Sequence, residues 1–209
     1  MTTMATWSRV EIAERMSAAE FWIDAPENQK AELINGVMVM APPPLDIHEK
    51  LYVFLFRLLG DYVEEHNLGE VRGSRTGVEL APDQVYEPDM LFIARDRLDI
   101  IERKGIMGAP DLVIEILSAG TAHYDRGENM RAYERAGVRE LWLIDPYGPA
   151  GTEFYHLEAQ RFVPSGPDSQ ATLRSTAVPG FWINVAWLWP RERFITVRQA
   201  LAQIEAQPA

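Results

Sequence analysis

The run Asp111-Leu112-Val113-Ile114-Glu115-Ile116-Leu117 sets a carboxylate inside an otherwise apolar segment. Pro110 and Ser118-Ala119-Gly120 bound it, and its nearly continuous apolar character predicts a strand covered on both faces. Such a strand requires layers on either side of a sheet. Alternation places Glu115 on the same face as Val113 and Leu117. A carboxylate in that position must be protonated, paired with a base or bound to a cation. A functional acid and a structural ion pair are the two readings.

The elements around this strand follow from local signals. Residues 140–145, with Leu141, Trp142, Leu143 and Ile144, read as another buried strand ended by Pro146. Between the two, residues 121–136 read as a helix closed by Gly137, so the strands are expected as parallel neighbours joined by a right-handed crossover. Upstream, Ser17-Ala18-Ala19-Glu20 has the form of a capping box, and a short helix is expected from Ala18 to before Pro26. Asn35-Gly36 between two extended runs predicts a hairpin with a type I′ turn. Asp46 is expected to cap a long helix whose stripe is Leu51, Phe54, Leu55, Leu58, Leu59 and Tyr62. Short strands are expected at 70–72, 76–80 and 89–94, followed later by a hairpin at 153–157 and 161–164. A strand near 181–185 and a helix near 196–205 complete the order.

This order predicts an α/β (α+β) fold with a mixed β-sheet flanked by helices and a β-rich C-terminal extension. The 209 residues are expected to form one domain, with a core at about 18–146 and a tail with the final helix at 147–209. No cysteine is present, which excludes disulfides and thiolate metal sites and suits a reducing cytoplasm. Met1–Val10 has no apolar stretch of signal-peptide length, and the apolar runs are too short to span a bilayer, so a soluble cytoplasmic protein is expected. A net charge of −11 argues against a nucleic-acid coat protein, though not against an enzyme that gathers its basic residues at one cleft.

Asp89 follows Pro88 at the start of an apolar strand. If that strand pairs with the one carrying Glu115, the two acids and a backbone carbonyl such as that of Ile116 form a hard-oxygen site for Mg²⁺, with Mn²⁺ as the alternative. Glu32 is read either as a third acid or, more simply, as a solvated side chain. His48, in the first turn of the long helix, is expected at the surface. His66, His123 and His156 lack metal-ligand spacing, which argues against zinc.

An ordered set of segments carries a resemblance. Glu32-Leu33-Ile34-Asn35-Gly36, His48, Pro88-Asp89, Leu112 to Ser118, Asp125-Arg126-Gly127-Glu128, Tyr133, Ala136-Gly137-Val138 and Glu140 to Pro146 together resemble the Uma-two family. That family is restriction-endonuclease-like and lies in the PD-(D/E)XK nuclease superfamily. The resemblance implies a restriction-endonuclease-like core, Mg²⁺-dependent hydrolysis of DNA, Asp89 and Glu115 as metal-binding acids, and Glu32 as a supporting acid. The superfamily's lysine often follows the second acid by two residues, where this chain has Leu117. In the Uma-two pattern a lysine stands four residues after the aspartate equivalent to Asp125, where this chain has Asn129. An amide holds a water but brings no positive charge. Arg126, one helical turn before Asn129, is expected to share its face and reach the phosphate.

Three functions follow. The first is a Mg²⁺-dependent nuclease acting on DNA, using Glu32, Asp89, Glu115, Arg126 and Asn129. The second is a catalytically silent relative kept for nucleic-acid binding or interaction. The third is a glycoside hydrolase with Asp89 and Glu115 as its acid pair and Trp142, Trp182, Trp187 and Trp189 as sugar platforms. The tryptophan-rich segment 181–189 is expected to pack on the sheet, with a homodimer contact as the second reading.

Overall fold

The computed structural model describes residues 15–207, so the signal-peptide reading of Met1–Val10 lies outside the described residues. In chain order the elements are α1 (Ala18–Asp24), β1 (Ala31–Ile34), β2 (Val37–Met40), α2 (Asp46–Glu65), β3 (Gly69–Gly73), β4 (Val78–Ala81), β5 (Gln84–Tyr86) and β6 (Met90–Ala94). Then come β7 (Ile106–Met107), β8 (Leu112–Ile116), α3 (Ala122–Tyr124), a π-helical turn (Asp125–Asn129), α4 (Met130–Ala136) and β9 (Glu140–Ile144). β10 (Glu153–Glu158), β11 (Arg161–Ser165), β12 (Thr172–Arg174), β13 (Trp182–Asn184) and α5 (Val197–Ala206) follow. Among the described residues no helix is long and apolar enough to cross a membrane.

The mixed sheet is six-stranded, in the order β11-β10-β9-β8-β6-β3, with β8 and β9 parallel and β6 antiparallel to β8. The parallel pairing expected across the 121–136 helix is therefore present. One sheet was expected, but the structure has a second: β2-β1-β5-β4-β7, with a separate β12-β13 ribbon. β5 escapes sequence reading because it is only three residues long, pairing with β4 across a tight turn and with distant β1 at a single position.

β8 lies at the centre, and its residues separate the two largest cores. Leu112, Ile114 and Ile116 face α2, α5 and the C-terminal segment, where Phe181, Trp182, Ile183 and Leu188 pack. Val113 and Leu117 face Ala132 and Tyr133 of α4, together with Ile34 and Tyr86 of the second sheet. All six residues of the α2 stripe are buried. Asp46 does not cap α2: Leu45 occupies that position without a side-chain bond, and Asp46 pairs with Lys50 one turn on at 2.5 Å. The hairpin turn has φ of +50° at Asn35 and +79° at Gly36, as a type I′ turn requires.

The expected 121–136 helix is broken by its π-helical turn, where the Met130 N–H donates to the Asp125 carbonyl, five residues back. The wider turn keeps Asp125 and Asn129 pointing into the protein while Arg126 stays exposed. Gly137 closes the segment in the left-handed region, φ +88°.

Candidate active site and metal centre

Strand register builds the site. β6 and β8 pair antiparallel with Met90 opposite Ile114, so Asp89 falls opposite Glu115. Pro88, which has no N–H to offer the ladder, precedes it. The Asp89 backbone N–H donates to Glu115 Oε2 at 3.1 Å, and both side chains are buried. They form part of the floor of a cleft of about 610 Å³, edged by Pro42–Pro44 and by Ile116, Ser118 and Thr121.

Each acid has its own partners. Asp89 Oδ2 accepts from the Ile116 N–H at 2.8 Å and lies 3.1 Å from His48 Nε2. Asp89 Oδ1 lies 3.3 Å from the Lys30 ammonium. Burial works against ionisation of Asp89, but Lys30, His48 and the Ile116 N–H outweigh it and hold its pKa below the usual carboxylate range. Glu115 Oε1 accepts from the Tyr133 hydroxyl at 2.7 Å. Burial pushes the Glu115 carboxyl well above its usual range; Lys30 opposes this, while Asp125, Asp89 and Glu32 add repulsion. Two neighbouring acids thus prefer opposite protonation states.

Two more acids close the site from the other side. Glu32, on β1, accepts from the Glu87 N–H at 3.0 Å and from Asn129 Nδ2 at 3.5 Å, and burial raises its pKa. Asn129 Nδ2 also donates to Asp125 Oδ1 at 3.2 Å, and burial pushes Asp125 up to about 7. The carbonyl oxygen of Asn129 is buried without a hydrogen-bond partner.

The structure therefore brings together Glu32, Asp89, Glu115, Ile116 and Asn129. Arg126 is not with them: its Nε donates to Glu153 Oε1 at 2.7 Å and a terminal nitrogen donates to the Gly151 carbonyl at 2.5 Å. The π-helical turn is the physical reason, because it removes the ordinary relation between Arg126 and Asn129. His48, expected at the surface, is buried against Asp89, and Glu32, expected as solvated, has a bound carboxylate. Sequence reading missed Lys30, Asp125 and Tyr133. Lys30 carried a signal, since it stands two residues before Glu32 and alternation places both on one strand face. None of the four tryptophans lines the cleft that holds Asp89 and Glu115. Trp142 is fully buried in the core, and Trp182 stacks near Trp187 with ring centres 5.5 Å apart.

The donor set can be tested against a divalent ion. Among the described residues, no three His, Cys, Asp or Glu side chains are grouped closely enough to enclose a metal. Four carboxylates nevertheless surround Lys30, Asp89 among them also meeting His48, and the other three hold raised pKa values. This excess of hard oxygen over positive charge is the donor chemistry that a hard divalent cation takes.

The fold is shared with a protein of nuclease description. The chain is similar to the crystal structure of a "putative nuclease belonging to DUF820" from Anabaena variabilis, with a TM-score of 0.64 and 17% identity, covering 90% of this chain and 99% of that one. Among curated proteins, none matches. The Uma2 family, described as "Putative restriction endonuclease", matches residues 16–186, and the chain belongs to that family.

Proposed function

We propose that this protein is a divalent-metal-dependent nuclease that hydrolyses phosphodiester bonds in DNA, with Asp89 and Glu115 as its metal-binding acids. The observation that supports it most is their juxtaposition on adjacent strands at a cleft floor, one bonded to the backbone of the other. Mg²⁺, or Mn²⁺ in its place, would be held by these two carboxylates and water. When bound it lowers the pKa of a water nucleophile and stabilises charge developing on the phosphate.

The chain's own residues prepare that arrangement. Lys30, His48 and the Ile116 N–H keep Asp89 ionised and oriented, and the Tyr133 hydroxyl holds Glu115 Oε1. Glu32, Asp125 and Asn129 form a second bonded group on the opposite wall, where Asn129 can hold a water through its unpartnered carbonyl.

The test is titration calorimetry with Mg²⁺ and Mn²⁺ on wild type and Glu115→Gln, with plasmid cleavage on the same samples. The expected result is metal binding and nicking by wild type, with both lost in the variant; a loss of 10²–10⁴ in rate is the usual scale for such a group. Metal binding without cleavage would identify the catalytically silent relative. That reading draws support from Asn129, which brings no charge to the lysine position. An absence of binding would overturn the metal site.

A further inference from the structure

Among the described residues that line the cleft, three carry cationic side chains: Lys30, His48 and Arg75. Arg75 is engaged elsewhere, donating to the Glu27 carbonyl at 2.8 Å and lying 3.6 Å from Glu87. His48 is buried and bridges Asp89 and Glu49. Lys30 differs from both. Its side chain is 22% exposed, its ammonium meets Asp89 Oδ1 at 3.3 Å, and its backbone is fixed by the bond from the Ala41 N–H to the Lys30 carbonyl. Burial works against its charge, but Asp89, Glu115, Glu32 and Asp125 outweigh burial and keep it protonated.

Asn129 approaches the same acids from the opposite wall, its amide nitrogen donating to Glu32 and Asp125. Among the described residues that line the cleft, the full positive charge that reaches the acids on a partly exposed side chain therefore comes from the segment before β1. A divalent ion and an ammonium cannot share Asp89 at low cost, because like charges at contact distance repel strongly in a partly buried site. A long, partly exposed side chain that lines the cleft has somewhere to go: outward into it.

We propose that Lys30 is the phosphate-contacting residue of this site, neutralising Asp89 in the free protein and turning to the substrate phosphate when a divalent ion takes its place. This rests on the nuclease reading above. Lys30 would then supply, from the segment just before β1, the charge that a lysine at position 129 would supply from the helix. The ammonium acts as a point charge and needs no proton transfer.

The experiment compares wild type, Lys30→Met, Lys30→Arg and the double variant Lys30→Met/Asn129→Lys, with folding checked by near-ultraviolet circular dichroism. Lys30→Gln carries the same readouts if methionine is not accommodated. Three quantities are measured: Mg²⁺ affinity by calorimetry, affinity for a short DNA duplex in Ca²⁺ across a salt series, and plasmid cleavage in Mg²⁺. Lys30→Met is expected to bind Mg²⁺ at least as tightly as wild type, to bind duplex at least fivefold more weakly, and to flatten the salt slope by about 1. Cleavage is expected to fall about 100-fold or more, to survive in part in Lys30→Arg, and to recover at least tenfold in the folded double variant. If wild type binds duplex but does not cut, the nuclease reading fails, while weaker duplex binding by Lys30→Met still supports the phosphate contact. Duplex affinity within twofold of wild type in Lys30→Met, weaker Mg²⁺ binding in that variant, or no recovery in the double variant would each overturn the proposal.

Discussion

The backbone N–H of Asp89 donates to the side chain of Glu115 at 3.1 Å, so the two acids are bonded to each other yet hold their protons oppositely. The asymmetry predicts different costs for the two conservative substitutions. Glutamine resembles a protonated Glu115: its oxygen can accept from the Asp89 N–H while its amide meets the Tyr133 hydroxyl. Glu115→Gln should stay within about 1 kcal/mol of wild-type stability without metal, while Mg²⁺ affinity falls at least tenfold. Asp89 instead accepts from Ile116, His48 and Lys30, all donors. Asp89→Asn turns an amide against one of them and should cost about 2–4 kcal/mol. Urea denaturation in EDTA checks both, and equal costs would refute the assigned protonation states.

The acid cluster also sets a pH dependence. Asp125 is pushed up to about 7, chiefly by burial, and Glu32 and Glu115 are raised as well. A carboxyl whose folded pKa exceeds its unfolded value stabilises the fold at low pH and loses that contribution as pH rises through the folded pKa. Asp89 has the opposite sign, and its contribution is lost only as pH falls below the usual carboxylate range. Between pH 5 and pH 8 the metal-free protein should therefore lose stability, on the order of 2–4 kcal/mol, with Asp125→Asn reducing the slope. Mg²⁺ should restore part of the loss at pH 8, since it binds the folded acids. Thermal melts at both pH values, with EDTA and with Mg²⁺, read this directly; a flat profile would show that the acids are not coupled through burial.

The residues that sequence reading found and missed divide along a physical line. Glu115 is conspicuous because an ion inside an apolar strand is costly, and Asp89 because a proline fixes the start of its strand. Asn35-Gly36 and the α2 stripe rest on local backbone geometry and periodicity, and both are present. Lys30 stands just before β1, where alternation with Glu32 is its one local signal, and its role comes from Asp89, which is distant in sequence. His48 is exposed on an isolated helix and becomes buried only because the end of β6 meets it. The π-helical turn has no local signature in residues 125–129, and with the tether to Glu153 and Gly151 it turns Arg126 away from Asn129. The split into two sheets escaped for the same reason, since the pairings that build the second sheet, β1 with β5 and β4 with β7, join segments distant in sequence.

Glu140 is a buried acid of another kind. Its Oε1 accepts from Trp142 Nε1 at 2.7 Å, while Oε2 accepts from the Ser175 hydroxyl at 2.6 Å and from the Thr176 and Ala177 N–H groups at 2.9 and 2.8 Å. The carboxylate pins the 175–178 turn to the start of β9 and so attaches the C-terminal segment to the sheet. Glu140→Gln would place an amide against donors at one of these positions. A loss of about 2–4 kcal/mol is expected by urea denaturation, with Mg²⁺ affinity unchanged in the folded fraction. Stability within about 0.5 kcal/mol of wild type would show that the pin carries no load.

Arg126 tests whether the π-helical turn matters to function. Its guanidinium is held by Glu153 and the Gly151 carbonyl on the exposed side of the turn, away from Asp89 and Glu115. An exposed pair of this kind contributes about 0–1 kcal/mol. Arg126→Ala should therefore change stability by less than about 1 kcal/mol and leave Mg²⁺ affinity and duplex binding within twofold. A guanidinium that contacted phosphate would behave otherwise: its removal would weaken duplex binding and flatten the salt slope by about 1. Measured beside Lys30→Met in the same salt series, Arg126→Ala separates the two cations, and a flattened slope for Arg126 rather than Lys30 would place the phosphate on the other side of the helix.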